Sequence, residues 1–223
     1  YAVARKVADH YGGDFYILDP EREAARVILM GPKKQRWVVD FTRFRGETIQ
    51  EDLQARDFTI TAMGLSVQRP DQLLDPCGGL KDLEEGIIRS CAKDALANDP
   101  LRALRAVRMA AQLRFEITPD TLNQIQAVIP DFNFISPERM RDELFRIFEG
   151  PHQAAALRSM QGLGMVSEIL PEIRKIHQYQ INTLRNLERI AGVLSLEYDQ
   201  EMAAKGDCRL LADQLGRFRK PFN

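Results

Sequence analysis

The sequence predicts an α+β protein: a small mixed-sheet head, followed by an all-helical neck and body. Three observations predict it. Strand-like runs (Phe15–Leu18, Ala25–Leu29, Trp37–Phe41) are confined to the first part of the chain. From Glu47 the apolar periodicity turns helical, and after about Lys93 it is almost unbroken. Helix-opening signals then recur at Pro100, at Thr118-Pro119-Asp120 and at Ser136-Pro137-Glu138. These features divide the chain into a head (1–92), a neck (93–150) and a body or tail (151–223).

Taken in order, residues 1–11 carry an amphipathic pattern built on Val3, Ala4, Val7 and Ala8, and Gly12-Gly13 stops it. The three strand runs follow. Gly31-Pro32 and the basic residues up to Arg36 provide turn chemistry between the second and third. A small antiparallel or mixed sheet with one helix packed on it is the expected result. Thr48 with Glu51 fits a capping box that opens a short helix to about Ala55. Pro70 and Pro76 mark loops, and Gly86–Arg89 is expected to return to the sheet edge. The helix after Pro100 should bury Leu101, Leu104, Val107, Ala111 and Leu113. Further helices should start at Thr118 and Ser136 and run from Gln153 to Gln161. Ile181, Leu184, Leu187, Ile190 and Leu194 form an amphipathic series in the tail, which ends on a small basic aromatic patch, Arg217–Asn223.

Composition narrows the function classes. With 44% hydrophobic and 28% charged residues, the 223-residue chain has the make-up of an ordinary globular protein. Its formal net charge is −1, so a nucleic-acid surface would have to be a local patch. Cys77, Cys91 and Cys208 are scattered, which suits a reducing cytoplasm better than a disulfide framework. His10, His152 and His177 are isolated, so no zinc site can be argued. No apolar run approaches a membrane span, so no membrane role is expected. The amphipathic opening is not a signal peptide, and the chain reads as beginning mid-domain.

The chemistry concentrates in two blocks. In the first, Asp99 is followed at every third residue by Arg102, Arg105 and Arg108, a slowly winding stripe along one helix. Adenine and cytosine each show an exocyclic amine beside an unprotonated ring nitrogen. A carboxylate accepts from the amine, an arginine donates to the ring nitrogen, and guanine and uracil meet the same pair with mismatched groups. Taken alone, this row reads first as a solvated face of ion pairs. The second block, Arg56-Asp57-Phe58-Thr59-Ile60-Thr61-Ala62-Met63, offers a guanidinium fork for phosphate and a carboxylate for a hydroxyl or cation. Phe58, Ile60 and Met63 read as core. Alone, Arg56 and Asp57 read as a structural ion pair.

Between the blocks lies Asp75-Pro76-Cys77-Gly78-Gly79-Leu80-Lys81-Asp82-Leu83, whose adjacent glycines permit a tight turn that Asp82 could tie down. Together these blocks resemble the class II tRNA nucleotidyltransferase and bacterial poly(A) polymerase family over roughly residues 1–172, fading after Pro171-Glu172. The resemblance implies template-independent addition of C and/or A from CTP and ATP to tRNA 3′ ends, with Mg²⁺ as the metal. It assigns base reading to Asp99 and Arg102, and the triphosphate to Arg105 and Arg108. It places Arg56 near phosphate, Asp57 near ribose or metal, and the double-glycine segment at a hinge between head and neck. Ser136–Leu144 resembles the last neck motif, bracing the helix through a cap and Arg–Glu pairs, with Arg139 facing the pocket as an alternative.

This sequence departs from the family pattern in several places. Ala55 stands where an arginine is usual, and Thr61 stands where an asparagine is usual. The family's Gly-Gly-x-Val-Arg-Asp loop and Asp-x-Asp metal pair do not occur, which suggests that Tyr1 lies just downstream of both and that the chain is inactive alone. Asp40, at the end of a strand run, is the candidate carboxylate for metal, and a turn role is its alternative. Poly(A) polymerase activity, a non-catalytic nucleotide- or RNA-binding module and a helical adaptor stand beside the leading expectation.

Overall fold

A computed structural model describes residues 1–170 and 177–194. The chain forms two compact units that divide after Asp52. In the first, helix α1 (Ala2–Tyr11) precedes strands β1 (Asp14–Asp19), β2 (Ala24–Met30) and β3 (Arg36–Phe41), which pair antiparallel in the order β1-β2-β3. Gly12, at φ 64°, ends α1 in the left-handed conformation that glycine adopts without strain. Ala4 and Ala8 pack on Ala25 and Val27, so small residues on both sides bring helix and sheet close. The period of two along β2 turns Arg26 to the opposite face, directly across from Asp40 on β3. Between β2 and β3 the chain makes a 3-10 turn at Pro32–Lys34, with Lys33 and Lys34 both at positive φ.

Helix α2 (Ile49–Gln54) opens as its sequence predicts. Glu51 N donates to Thr48 Oγ1 at 3.2 Å. The returning carboxylate accepts from Glu47 N at 2.7 Å, one residue before the partner of an ideal capping box.

The second unit begins with a short hairpin of β4 (Gly64–Leu65) and β5 (Leu73–Leu74), then α3 (Gly79–Glu85) and β6 (Ile87–Ile88). It continues through α4 (Leu101–Leu113), β7 (Glu116–Ile117), α5 (Pro119–Val128), α6 (Pro137–Glu149), α7 (Gln153–Gly162), α8 (Met165–Ile169) and α9 (Gln178–Leu194). The expected return of Gly86–Arg89 to the first sheet does not occur. β6 instead pairs in parallel with β7, because Ile88 is fully buried in the helical core and its carbonyl accepts from Thr118 N at 3.1 Å. Phe58 and Ile88 carry residues before position 92 into that core.

Helix α4 is the axis of this unit. Leu101, Ala103, Leu104, Ala106 and Val107 are all buried, so it is covered on more than one side. Full burial of a leucine such as Leu104 contributes about 1.5–3 kcal/mol. Leu113, expected inside, is 46% exposed, because α4 ends there and Arg114 turns left-handed at φ 60°. Thr118 and Ser136 cap α5 and α6 by accepting from Thr121 N and Arg139 N.

Among the described residues no helix is long and apolar enough to cross a membrane. Of the tail series, Ile181 is buried and Leu187 exposed. The side chains of Ile190 and Leu194, together with Pro171-Glu172, Cys208 and the Arg217–Asn223 patch, lie outside the described residues.

Candidate functional site

The segment 55–63 is held from three sides of the second unit. Thr59 N donates to Arg89 O at 2.9 Å, and Cys91 N donates to Asp57 O at 3.1 Å. Gly79 presses on the segment from α3, where a Cβ would stand 2.1 Å from Thr59 O, so only glycine fits. The glycine turn is tied by Asp75, whose carboxylate accepts from Gly79 N at 2.7 Å and Leu80 N at 3.0 Å. Asp82, expected to do this, lies on the first turn of α3. It reaches across instead to Thr59 Oγ1 at 2.7 Å and to the Arg89 guanidinium at 3.0 Å. Burial raises the Asp82 pKa, but hydrogen bonds from Arg89 and Thr59 outweigh it and hold the carboxyl below the ordinary carboxylate range.

Asp57 is 6% exposed, with a defined set of partners. Its Oδ1 accepts from Phe58 N at 3.0 Å and from the Thr61 hydroxyl at 2.8 Å. The hydroxyl that stands where the family usually has an asparagine therefore supplies a supporting hydrogen bond. Asp57 Oδ2 lies 2.8 Å from Arg105 Nη2, yet it has no hydrogen bond of acceptable geometry, and neither does the buried Nε of Arg105. A buried acceptor and a buried donor thus sit in one ion pair with hydrogen-bonding capacity unmet. Arg56 Nη1 donates to Thr61 O at 3.1 Å.

The row on α4 is divided among different tasks. Asp99, just before the helix, pairs with Arg139 Nη2 of α6 at 2.7 Å. Arg102 is turned inward and 9% exposed; its Nη1 donates to Ala95 O at 2.9 Å and its Nη2 to Ala55 O at 3.1 Å, with Arg56 O at 3.3 Å. Arg105 faces Asp57. Arg108 Nε donates to Glu143 Oε1 at 2.5 Å and its Nη1 to Gln112 Oε1 at 3.1 Å. Arg139 and Glu143 come from α6, far off in sequence. No local pattern announces which position on α4 either will meet.

On the first unit, Asp40 pairs with Arg26 through both carboxylate oxygens, at 2.7 and 2.8 Å. That hydrogen bonding holds its carboxyl below the usual range. Among the described residues no group of three or more His, Cys, Asp or Glu is placed to hold a metal ion. Asp40 and Asp57 each face a guanidinium, which opposes a cation at the same oxygens. These residues do not fit a divalent metal pair. Burial pushes the Cys91 thiol pKa up, with Cys77 beside it.

Two family models match the chain: the poly(A) polymerase head domain over residues 21–89, and the probable RNA- and SrmB-binding site of polymerase A over residues 114–176. A CC-adding tRNA nucleotidyltransferase of Geobacter sulfurreducens is 44% identical over 75% of the chain and 38% of its own length. An A-adding tRNA nucleotidyltransferase of Deinococcus radiodurans is 35% identical over 78% of the chain and 39% of its own length. The chain thus spans well under half the length of these relatives. A CCA-adding enzyme solved with ATP superposes at a TM-score of 0.72 with 28% identity, covering 86% of this chain and 46% of that one.

Proposed function

The chain belongs to the class II tRNA nucleotidyltransferase and poly(A) polymerase family, and we propose that it acts in template-independent addition of C and/or A, from CTP and ATP, to tRNA 3′ ends. The observation that carries the reading is the Asp57–Arg105 pair, with its unfilled buried acceptor and donor. Both atoms are closed to solvent, so the pair fixes the wall of the site, and the 39%-exposed Arg105 side chain is the part that a nucleotide can touch. The preceding Arg56 and the outer face of Arg105 supply positive charge for the triphosphate. Asp99 supplies the acceptor for the exocyclic amine of adenine or cytosine. Residues 114–176 and α9 hold the RNA, through phosphate contacts that weaken with salt.

The family generally uses divalent metal ions. The described carboxylates do not fit a pair of such ions. The same observation favours a second reading, a nucleotide- and RNA-binding module without catalysis.

Equilibrium dialysis against labelled ATP, CTP, GTP and UTP tests the proposal. Retention of ATP and CTP above GTP and UTP supports it, and equal or absent retention refutes it. Incorporation of label into tRNA lacking its terminal CCA, with Mg²⁺ present, separates the two readings. Incorporation supports catalysis by this chain, and selective binding without incorporation supports the module.

A further inference from the structure

We infer that Cys77 and Cys91 form a reversible disulfide when the chain meets a hydroperoxide, and that this link braces the segment carrying Asp57. Nothing in this chemistry depends on the proposed nucleotide reaction. Both cysteines are free thiols, and each is only partly exposed. They lie on two pieces of chain that close on the same stretch, residues 57–59, from different sides.

On one side, Cys91 N donates to Asp57 O at 3.1 Å, Arg89 O accepts from Thr59 N at 2.9 Å, and an antiparallel bridge joins Phe58 to Ser90 between them. On the other side, Cys77 leads into Gly79, which packs on the segment so closely that a Cβ would stand 2.1 Å from Thr59 O. Asp75 fixes this second approach by accepting from Gly79 N and Leu80 N. Asp82 joins the two sides, because its carboxylate accepts from both Thr59 Oγ1 and the Arg89 guanidinium. Where the two pieces meet, the thiols stand side by side, within hydrogen-bonding reach of each other. Two sulfurs held together by this many ties need only a small adjustment to bond.

Burial, and after it the neighbouring Cys77 and Asp57, keep Cys91 in its protonated form. Cys77 therefore attacks first. Its thiolate sulfur bonds to the terminal oxygen of the hydroperoxide and the O–O bond breaks. The leaving alkoxide or hydroxide departs with the proton that the Cys77 thiol gave up. The Cys91 sulfur then displaces hydroxide from the sulfenic acid at Cys77, forming S–S as S–O breaks, and the Cys91 proton leaves with that hydroxide as water. The pair of thiols is oxidised by two electrons and one hydroperoxide is reduced. A dithiol restores both thiols by exchange. The bond ties the glycine turn covalently to the chain behind Asp57, so the redox state sets how firmly that segment is held.

The test treats the full, reduced chain with a small molar excess of hydrogen peroxide, then maps its tryptic peptides by mass and records a thermal melt. Cys77 and Cys91 fall in separate tryptic peptides, 57–81 and 90–93. The expected result is these two peptides joined with the loss of two hydrogens, in a single chain on a non-reducing denaturing gel, and released by dithiothreitol. Closing the loop of 15 residues from 77 to 91 should raise the melting temperature by about 6–12 °C, and dithiothreitol should reverse the rise. Cys77→Ser and Cys91→Ser should each show no rise after the same treatment. A Cys77 that carries only sulfenic or sulfinic oxygen, or either cysteine joined to Cys208 or to a second chain, would overturn the inference. The expected link with melting unchanged or lowered would overturn the bracing of the Asp57 segment.

Discussion

Glu143 offers the sharpest test of how α4 is held. Its side chain is 3% exposed and meets an Arg108 that is 16% exposed, with Arg146 a further 3.7 Å contact from the surface. Glu143→Leu keeps the volume but leaves the Arg108 guanidinium in a closed site with only Gln112 opposite. Removing one partner of a buried pair costs about 3–5 kcal/mol. Because Arg108 retains some exposure and the Gln112 bond, a loss of about 3 kcal/mol is expected. For a chain of this size that lowers the melting temperature by about 6–12 °C. Arg108→Leu should cost a similar amount, since it strands a more deeply buried carboxylate. The double variant should recover most of the loss, because an apolar pair of similar volume has no charge to desolvate.

Urea unfolding followed by far-UV circular dichroism is the appropriate assay. The single tryptophan, Trp37, lies in the first unit, so its fluorescence reports the wrong part of the chain. Single variants within about 1 kcal/mol of wild type, or single losses that simply add in the double variant, would refute the claim that the two residues form one buried interaction.

Other perturbations probe the neighbouring segments. The folded pKa of Asp82 is depressed, so its contribution is complete above the unfolded value near ~3.9 and fades as pH falls through the folded value. Arg89→Leu removes a partner that lowers that pKa, and acid titration of the urea midpoint should then show the decline beginning at higher pH than in wild type. Gly79→Ala places a methyl group against Thr59 O and should cost about 1–3 kcal/mol by thermal melt. Thr61→Val removes the hydroxyl that supports Asp57 and should weaken ATP retention in dialysis severalfold, whereas Thr61→Asn, which restores a donor, should not.

Much of the fold is legible in the sequence because it depends on local pattern. The period of two in Ala25–Leu29, the cap at Ser136 and the proline after Thr118 each specify their element without reference to the rest of the chain. Failures come where a distant partner decides. Gly86–Arg89 has ordinary strand character, and nothing nearby shows that its partner is Glu116–Ile117. Gly79–Glu85 forms a helix because Asp75 supplies its first amides with an acceptor, although the glycines at its start suggest only a turn. For the site, residue type and spacing single out Asp57, Asp99 and the arginine row, but they cannot assign a partner to each arginine. Spacing fixes the direction in which a side chain leaves α4; what stands opposite is set by segments tens of residues away.

That division of labour has a physical consequence. Three arginines at equal spacing are chemically identical in the sequence, yet α4 uses each to secure a different piece of chain. Arg102 holds the backbone at residues 55, 56 and 95; Arg105 holds the carboxylate of Asp57; Arg108 holds Glu143 on α6. Each tether fixes one wall relative to the same rigid rod, so the walls are fixed relative to one another. A site that discriminates bases by hydrogen bonds needs this, because a mismatch is costly only where the groups facing it cannot move aside. Loosening Arg108 from Glu143 should therefore relax selectivity at Asp99 as well as lower stability: α6 carries both Glu143 and Arg139, and its movement would separate Arg139 from its carboxylate. Dialysis of Glu143→Leu at a temperature where it remains folded checks this coupling. Lowered stability with intact selectivity would show that the cap at Ser136 is sufficient to hold Arg139 in place.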